Sequence, residues 1–309
     1  MIILYYDNIN NCAVFYNSIK SLGEIDMENF KKELETIINA IPGNKGVFVK
    51  DCSTSKWIGF NEKRKFHAAS VIKVPIMYEA LLQVQTGKLN LNDTFILENE
   101  EKVGGSGVLQ LMHDKLKLTL KDIIALMIDV SDNTATNMLH DILGKDNINN
   151  SINELGLKDT YFARKLMKVV PGLYSYTAAY DIGILLEEFL NCNYLSEEMA
   201  QEGMEIMYNQ QYNDRLSAKL IECGHCGEYL GNLNICPNCN SNTDDVDPKL
   251  VPFAHKTGSI SGVVHDAGIL TVNDKKIIVV CLTDNLQNDE EGVTMQQQLG
   301  LSIYRYFKQ

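Results

Sequence analysis

The sequence predicts an α/β (α+β) fold in which an antiparallel sheet is flanked by terminal helices and interrupted by an inserted all-helical lobe. Three observations lead to this prediction. Apolar residues recur at helical spacing near both ends of the chain. Strand-like apolar runs also lie near both ends, whereas the region between them has the pattern of successive helices. Because strands lie at both ends, we expect them to join in one α/β layer that carries the lobe.

The N-terminal part of the predicted layer consists of one helix and one hairpin. Residues 27–41 have apolar side chains on one helical face and end at Pro42, which cannot continue a helix. Residues 46–50 and 57–60 are apolar runs separated by a polar turn, which is typical of an antiparallel hairpin.

The C-terminal part of the layer begins after about residue 250. Residues 262–269 and 276–283 are rich in β-branched side chains and read as adjacent antiparallel strands. Residues 295–306 return to helical spacing and predict a closing helix.

The lobe between these parts begins with a helix that follows Ser70 and ends near Gly87. Thr119 is the predicted N-cap of a second helix, which ends near Val130. Residues 134–143 predict a third helix, which Gly144 stops.

Length and charge limit the function classes. The 309 residues, of which 45% are hydrophobic, suffice for one large domain or two closely packed ones. A net charge of −12 argues against a nucleic-acid-binding surface. The first residues lack the basic region of a signal peptide, and no segment approaches the roughly 20 apolar residues that span a bilayer. We therefore expect a cytoplasmic protein that binds no membrane. An alternative start at Met27 would make residues 1–26 an artefact or a loosely held extension.

Residues 66–85 contain the clearest catalytic pattern. Ser70 stands where a helix is predicted to begin, beside free backbone N–H groups and the positive end of the helix dipole. Lys73 lies one turn further on the same face, within reach of the serine hydroxyl. A lysine in a partly dry cleft can lose its proton near neutral pH and then accept the serine proton. A second Ser-x-x-Lys sequence at residues 53–56 lies in a polar turn and is not expected to be catalytic.

Two further triplets extend this pattern. Residues 131–133 read Ser-Asp-Asn between two predicted helices, and residues 256–258 read Lys-Thr-Gly at the start of a strand-like run. The order Ser-x-x-Lys, Ser-Asp-Asn, Lys-Thr-Gly is the signature of class A β-lactamases and penicillin-binding proteins. The chain therefore resembles this family through much of residues 27–220 and 250–309. The resemblance implies a β-lactamase/transpeptidase-like fold and a serine hydrolase that forms an acyl-enzyme with β-lactams or related amides, without a cofactor for catalysis.

The resemblance also implies roles for four catalytic residues. Ser70 would be the nucleophile and Lys73 the base for acylation. Ser131 would relay a proton to the leaving nitrogen. Lys256 would stabilise the ionised serine and attract a substrate carboxylate.

Four residues are expected to bind substrate: Asn133, Thr257, Gly258 and Ser259. By the resemblance, Asn133 hydrogen-bonds the amide side chain of the substrate, and the hydroxyls of Thr257 and Ser259 bind its carboxylate. The oxyanion hole of the family corresponds to the backbone N–H groups of Ser70 and Ser259.

Three polar residues beside these motifs are predicted to be structural. Asp132 would brace the turn between the two helices. His255 and His265 flank the Lys-Thr-Gly triplet and are expected to form structural hydrogen bonds rather than act as bases.

One departure from class A β-lactamases concerns the loop that carries their deacylating glutamate. The corresponding residues 161–180 contain no Asp or Glu, and Leu166, Met167 and Lys168 stand near the expected position. None of these three can serve as the general base that activates water. We therefore expect ready acylation and slow deacylation.

Four of the eight cysteines form two Cys-x-x-Cys turns nine residues apart. The four are Cys223, Cys226, Cys236 and Cys239. In a reducing compartment this pattern is typical of tetrahedral structural zinc, and the polar sequence around it needs a metal to hold it together. Iron in the same geometry, or two disulfides, are the alternatives, and His225 could replace one cysteine. The segment resembles a zinc ribbon that serves as a structural clip, a lid over the cleft or a docking site for a protein partner.

The predicted organisation thus has four parts. They are an N-terminal extension at 1–26, the α/β layer at 27–66 and 250–309, the helical lobe at 67–220, and the zinc-ribbon-like insertion at 221–249.

Two other functions stay open. The chain could be a cytoplasmic peptidase, amidase or esterase for which β-lactams are only mimics. It could also be a non-catalytic protein that binds a partner through the zinc ribbon.

Overall fold

A computed structural model describes residues 27–168, 170–231, 233–242 and 248–309. The predicted extension at residues 1–26 lies outside the described residues. The described helices include none that combines the length and the apolar character needed to cross a bilayer.

The strands and helices are numbered here in chain order. The strands are β1 (Asn44–Asp51), β2 (Trp57–Phe60), β3 (Phe66–His67), β4 (Thr94–Leu97), β5 (Leu116–Thr119), β6 (Tyr176–Thr177), β7 (Ile221–Glu222), β8 (Lys249–Leu250), β9 (Phe253–Ile260), β10 (Val263–Val272) and β11 (Lys275–Asp284). The helices are α1 (27–38), α2 (Lys73–Gln85), α3 (Leu120–Asp129), α4 (Asn133–Leu143), α5 (Lys145–Glu154), α6 (Ala179–Asn191), α7 (Glu197–Tyr208) and α8 (Asp289–Lys308).

The centre of the fold is a five-stranded antiparallel sheet with the spatial order β2-β1-β11-β10-β9. Strand β1 pairs with β11 from Asn44 opposite Asp284 to Asp51 opposite Ile277. The two ends of the chain therefore meet in one sheet, and the predicted fold class is confirmed. Strand β9 forms one edge of the sheet, so the Lys-Thr-Gly triplet has a free side next to the lobe.

Two apolar clusters cover the two faces of the sheet. Helices α1 and α8 pack on one face, where Phe30 stacks on Tyr306 with ring centroids 3.9 Å apart. The lobe packs on the other face, against β-strand residues such as Ala254 and Val280. Alternation of side chains along each strand explains why one sheet serves both cores.

Helix α2 is the centre of the lobe and packs against α3, α4, α5 and α7. Its residues from Lys73 to Leu81 are all buried, so the helix is enclosed on every side. The lobe is not helical throughout, because β4 pairs with β5 and β3 with β6. In the first pair, short runs with β-forming residues lie opposite each other, which helical periodicity did not reveal.

The cysteine-rich segment leaves the sheet layer at a narrow neck. Strands β7 and β8 pair there, and Val251 N–H donates to the Leu220 carbonyl at 2.9 Å. We call residues 221–249 the ribbon. The residue boundaries of the four predicted parts stay a prediction.

Candidate active site and cysteine cluster

Ser70 lies in a short 3-10 turn, Ala69–Ile72, directly before α2. The turn is held in an unusual backbone conformation, with a φ of +43° at Ala69. Ala69 N–H donates to His67 Nδ1 at 3.0 Å, and Ala68 N–H donates to the Ser175 carbonyl at 2.9 Å. These bonds fix the serine at the start of the central helix.

Lys73 is completely buried, and its Nζ lies at the meeting point of the first two motifs. It is 3.1 Å from Ser70 Oγ and 3.0 Å from Ser131 Oγ. It also lies 2.7 Å from the Ser131 carbonyl oxygen and 3.0 Å from Asn133 Oδ1. Burial lowers the pKa of Lys73 well below its ordinary value, and the positive charge of Lys256 lowers it further. A neutral amine in this place can accept the Ser70 proton.

The turn at residues 131–133 is fixed by the side chain of Asp132. Its Oδ1 accepts from Ala135 N–H at 2.9 Å and caps α4. Its Oδ2 accepts from Val108 N–H at 2.6 Å and Leu109 N–H at 2.8 Å. The cap holds Ser131 at a φ of +55°, in the left-handed region, with its hydroxyl on Lys73. Asp132 therefore braces the turn and has no free oxygen for substrate.

Asn133 links Lys73 to a glycine-rich loop, residues 104–107. Its Nδ2 donates to the Gly104 carbonyl at 3.1 Å while its Oδ1 accepts from Lys73. A Cβ atom on Gly105, which has a φ of +89°, would lie 2.6 Å from Asn133 Nδ2. The loop therefore needs glycine at this position to approach the asparagine.

Strand β9 passes directly beside the Ser70 turn. A Cβ atom on Gly258 would lie 3.0 Å from Ser70 N, so glycine allows the two backbones to approach closely without a tight side-chain contact. Thr257 is buried beside it, whereas Ser259 is exposed. The N–H groups assigned to the oxyanion hole thus belong to two backbones that lie side by side.

Lys256 is completely buried on the same strand, and its Nζ donates to the Thr257 carbonyl at 2.8 Å. Burial, followed by the positive charge of Arg215, lowers the pKa of Lys256 to about 7. Its charge is therefore available at neutral pH only in part.

Sequence reasoning missed Arg215, which lies in the connection before the ribbon. Arg215 is buried, and its Nη1 donates to the carbonyls of Gly258, at 2.9 Å, and His265. Its Nη2 donates to Ser259 Oγ at 2.5 Å. No motif surrounds this arginine, so the sequence carried no signal for it.

Asn137 was also missed, and it holds the loop that lacks a carboxylate. Its Oδ1 accepts from Leu166 N–H at 2.7 Å, and its Nδ2 donates to the Leu166 carbonyl at 3.1 Å. Asn137 lies one turn after Asn133 on α4, and this spacing was a usable signal. The structure thereby fixes Leu166 relative to the helix that begins at the Ser131 turn.

The two histidines near β9 have hydrogen-bond partners of the kind expected for structural side chains. His265 Nε2 donates to the His67 carbonyl at 2.8 Å, and its Nδ1 accepts from Thr283 N–H at 3.1 Å. Burial lowers the pKa of His265 to about 4, so the ring is neutral. His255 is also completely buried and pairs with Asp266.

The four ribbon cysteines form a second candidate site. Their Sγ atoms all lie within 4.8 Å of one another. Cys223 and Cys239 are 3.7 Å apart, and Cys226 and Cys236 are 3.5 Å apart. Four thiolates about 2.3 Å from a central zinc ion would stand about 3.8 Å apart, so the arrangement fits a tetrahedral ion. The four cysteines are free, so the disulfide alternative is not the arrangement described.

The backbone around the cysteines forms two similar turns. Gly227 N–H donates to the Cys223 carbonyl at 2.9 Å, and Asn240 N–H donates to the Cys236 carbonyl at 3.0 Å. His225 Nδ1 lies 3.4 Å from Ser241 Oγ. Among the described residues, the group of side chains close enough together to bind one metal ion consists of the four cysteines and does not include His225.

The comparison with protein families matches the "Beta-lactamase enzyme family" model over residues 29–307. The chain belongs to the beta-lactamase enzyme family. This confirms the resemblance that the three motifs indicated. The match spans both ends of the sheet and the lobe between them.

Individual relatives agree with this assignment. Beta-lactamase PSE-4 of Pseudomonas aeruginosa is 25% identical over 203 residues, which cover 64% of this chain and 70% of that protein. A beta-lactamase structure from Sphaerobacter thermophilus is 26% identical, with a TM-score of 0.76, and the match covers 90% of this chain and 96% of that one. PBP-A is 23% identical with a TM-score of 0.75, covering 91% of this chain and 96% of its own, and shares the fold.

Proposed function

We propose that this member of the beta-lactamase enzyme family is a serine hydrolase that forms an acyl-enzyme on Ser70 with β-lactams or related amides. The observation that carries the proposal is the position of the buried Lys73 amine, 3.1 Å from Ser70 Oγ and 3.0 Å from Ser131 Oγ. A base, a nucleophile and a proton relay are thus in contact before substrate binds.

Acylation would proceed by one proton cycle. Neutral Lys73 takes the proton of Ser70, and Oγ attacks the amide carbonyl carbon. The carbonyl oxygen becomes an oxyanion beside the N–H groups of Ser70 and Ser259. When the C–N bond breaks, the proton passes from Lys73 through the Ser131 hydroxyl to the leaving nitrogen. Lys256 and Arg215 supply the positive charge that attracts a substrate carboxylate.

Deacylation is proposed to be slow. The step requires a base that activates water, and residues 161–180 offer no carboxylate for it. Leu166 occupies the position on the loop that Asn137 holds against α4. A missing general base typically lowers the rate of such a step by about 10²- to 10⁴-fold.

Mass spectrometry of the intact protein after incubation with penicillin G tests this function. We expect an adduct with the mass of the whole penicillin on the wild type and on Ser53→Ala, which alters the unused Ser-x-x-Lys sequence. Ser70→Ala should carry none. Rapid hydrolysis without a lasting adduct would contradict slow deacylation. If the wild type shows no adduct and no hydrolysis, the proposal of a β-lactam substrate is wrong.

A peptidase, amidase or esterase acting on a cytoplasmic substrate is the second candidate, favoured by the absence of a loop carboxylate. A fluorophosphonate probe separates the two, because it labels an activated serine whatever the natural substrate. Labelling of Ser70 without reaction with penicillin would favour this candidate. A non-catalytic role for the chain is opposed by the intact contacts of Lys73 with Ser70 and Ser131.

We propose that the four ribbon cysteines hold one structural zinc ion, in keeping with the proposed cytoplasmic location. In the described part of the ribbon the apolar cluster is small, formed by Cys223, Leu230 and Cys236 with two half-buried neighbours. Metal binding would therefore supply most of its folding free energy. Catalysis needs no step at this ion.

Elemental analysis of the purified protein tests the metal. We expect about one zinc per chain in the wild type and in Cys192→Ser, which alters a half-buried cysteine outside the ribbon. Cys236→Ser should lose the zinc. Stoichiometric iron would replace the proposal with an iron site, and a metal-free wild type would contradict it.

The ribbon contacts the last helix, which supports the role of a clip. Glu222 Oε1 accepts from the Tyr304 hydroxyl and from Lys308 Nζ, each at 2.6 Å. The rings of Tyr229 and Tyr304 lie 5.5 Å apart. These contacts lie on the α8 face of the sheet, away from the lobe, and do not favour a lid over Ser70. Docking of a protein partner on the ribbon stays a hypothesis.

A further inference from the structure

A buried acid and base face each other behind the strand that carries Lys256. His255 and Asp266 are both completely buried, and His255 Nδ1 lies 2.7 Å from Asp266 Oδ1. Side chains alternate along β9, so His255 points away from the face that Lys256 occupies. Its ring stacks on Phe253, within the apolar cluster under α8. The pair therefore lies beside the apolar cluster under α8, whereas the residues around Ser70 pack into the cluster of the lobe.

Both members of the pair also bind the connection between α7 and the ribbon. His255 Nε2 lies 3.0 Å from Asn213 Oδ1, and Asn213 Nδ2 donates to the Gln210 carbonyl at 2.8 Å. Asp266 Oδ2 accepts from Leu216 N–H at 3.2 Å. The pair thus holds this connection at two points, on either side of Arg215.

Arg215 points from this connection to the rim of the Ser70 site. It donates to the Gly258 carbonyl at 2.9 Å and to Ser259 Oγ at 2.5 Å. Gly258 is the residue that packs against Ser70 N, and Ser259 supplies the second N–H of the proposed oxyanion hole. A shift of Arg215 would therefore displace both Gly258 and Ser259.

Helix α8 closes the same connection from its other side. A Cβ atom on Gly300 would lie only 1.9 Å from the Leu216 carbonyl oxygen, so the helix backbone touches the connection directly. Residues 213–216 are thus confined between the buried pair and α8. Such confinement is what precise placement of a neighbouring side chain requires.

We propose that His255 and Asp266 are positioning residues that hold residues 213–216 in place, so that Arg215 sets the geometry of Gly258 and Ser259 for a substrate carboxylate. The inference rests on the proposed acylation of Ser70. In this inference, the buried His255–Asp266 pair has a structural role in substrate binding, although it takes no part in the proton transfers at Ser70. An apolar pair of similar size would fill the same volume, and it would leave Asn213 Oδ1 and Leu216 N–H without partners.

A double-mutant cycle between Asp266→Asn and Arg215→Ala tests the proposal. The measured quantity is the second-order rate constant for acylation by penicillin G and by its methyl ester, which lacks the carboxylate. We expect each single variant to lower the rate with penicillin G by about 10- to 100-fold, as small misplacements in a site do, and to affect the ester much less. The double variant should lose little more than Arg215→Ala alone, because the pair acts through the arginine.

Glu188→Gln is the matched control. Glu188 is a buried carboxylate that also accepts backbone N–H bonds, from Tyr194 and Leu195, at the end of α6. It should lower thermal stability without changing the ratio of the two rates. Additive losses in the cycle, or equal losses with the acid and the ester, would show that the pair only stabilises the fold. If Asp266→Asn does not fold, Asn213→Ala removes the link from His255 to the same connection and is expected to give the same pattern.

Hydrogen exchange provides a readout that is independent of any substrate. In Asp266→Asn, backbone amides of residues 213–217 and 258–260 should exchange faster than in the wild type and in Glu188→Gln. Faster exchange confined to residues around 255 and 266 would contradict the positioning role. If penicillin G fails to acylate even the wild type, the proposed function fails, and the exchange data still decide whether the pair positions Arg215.

Discussion

The Ser70 site and the ribbon differ in how far apart in the chain their functional groups lie. Ser70, Ser131 and Lys256 come from three distant segments, and a large buried core brings them together. The four cysteines lie within 17 residues, 223–239, and the described residues around them form a small apolar cluster. The first site is held by the fold, whereas the second must hold itself by binding an ion.

This difference separates two uses of polar groups. At the Ser70 site, two lysines are kept in a completely buried environment, which shifts their pKa values downwards. In the ribbon, two of the four cysteines are buried and two are not, and each cysteine has its partner within 16 residues along the chain. We therefore expect changes at Ser70 to alter reactivity with little loss of structure, and changes in the ribbon to alter structure with little loss of reactivity.

The largest expected effect comes from Lys73→Met, which removes the base but keeps an unbranched side chain only one atom shorter. Acylation by penicillin G should fall by about 10³-fold, the usual range for a missing general base. Thermal stability should change little, because the cost of burying an amine disappears while the Ser131 carbonyl and Asn133 Oδ1 lose a donor. Acylation kinetics and a thermal melt measure the two quantities.

Lys56→Met is the control for Lys73→Met, since Lys56 is exposed in the unused Ser-x-x-Lys sequence. It should leave both quantities unchanged. A large loss of stability in Lys73→Met, with acylation lost only through unfolding, would contradict the view that the fold holds this site independently of its chemistry.

The second effect concerns deacylation, the step that is proposed to be slow because the loop has no general base. Leu166→Glu places a carboxylate on the loop position that Asn137 holds at both backbone groups. Deacylation of the penicillin adduct should become about 100-fold faster, because water gains a general base. The decay of the adduct, followed by mass spectrometry, measures this rate.

Leu166→Gln is the control, because glutamine has nearly the same shape as glutamate but no charge. This variant should leave the adduct stable. An equal acceleration in both variants would mean that altered loop packing admits water, rather than that a base acts on it.

The sequence could predict the Ser70 site because its groups belong to short motifs. Ser70 and Lys73 are one helical turn apart, and the Ser-Asp-Asn and Lys-Thr-Gly triplets each carry their spacing in the sequence. Arg215, Asn213 and Asp266 could not be predicted in the same way. Their partners lie across the sheet or in another segment, so only the folded register brings them together.

The fold shows the same limit. The helices and the long strands follow from periodicity, and the fold class is confirmed. The pairs β3–β6 and β4–β5 were missed because two- and four-residue strands are too short to show a period. The 3-10 turn at Ser70 was also beyond the pattern, since its Ala69 conformation depends on contacts with His67 and Ser175.

The third effect is a pH dependence at the Ser70 site that the ribbon should not share. The pKa of Lys256 is lowered from 10.5 to about 7. Between these two values the unfolded chain binds more protons, so the fold gains stability as the pH rises through this range. Over the same range Lys256 loses its charge, and the affinity for a carboxylate should fall by up to about tenfold per pH unit.

Acylation kinetics with penicillin G and its methyl ester measure this affinity. The pH range, about 6 to 9, brackets the lowered pKa of Lys256. Lys256→Arg is the control, because a guanidinium stays charged throughout. Equal pH dependence for the acid and the ester would assign the titration to Lys73, whose deprotonation promotes attack by Ser70.

The smallest effect is expected where the ribbon meets α8. Glu222→Gln weakens the bonds from Tyr304 and Lys308, which are partly exposed, and should cost about 1 kcal/mol in the free energy of unfolding. Chemical denaturation measures this loss, with Glu228→Gln as the control at an exposed ribbon position. Acylation by penicillin G should be unchanged, because residues 213–216 are held by Asp266 and α8 rather than by the ribbon. If Glu222→Gln slows acylation, the neck at Leu220 and Val251 transmits ribbon movements to Arg215, and the two sites are coupled after all.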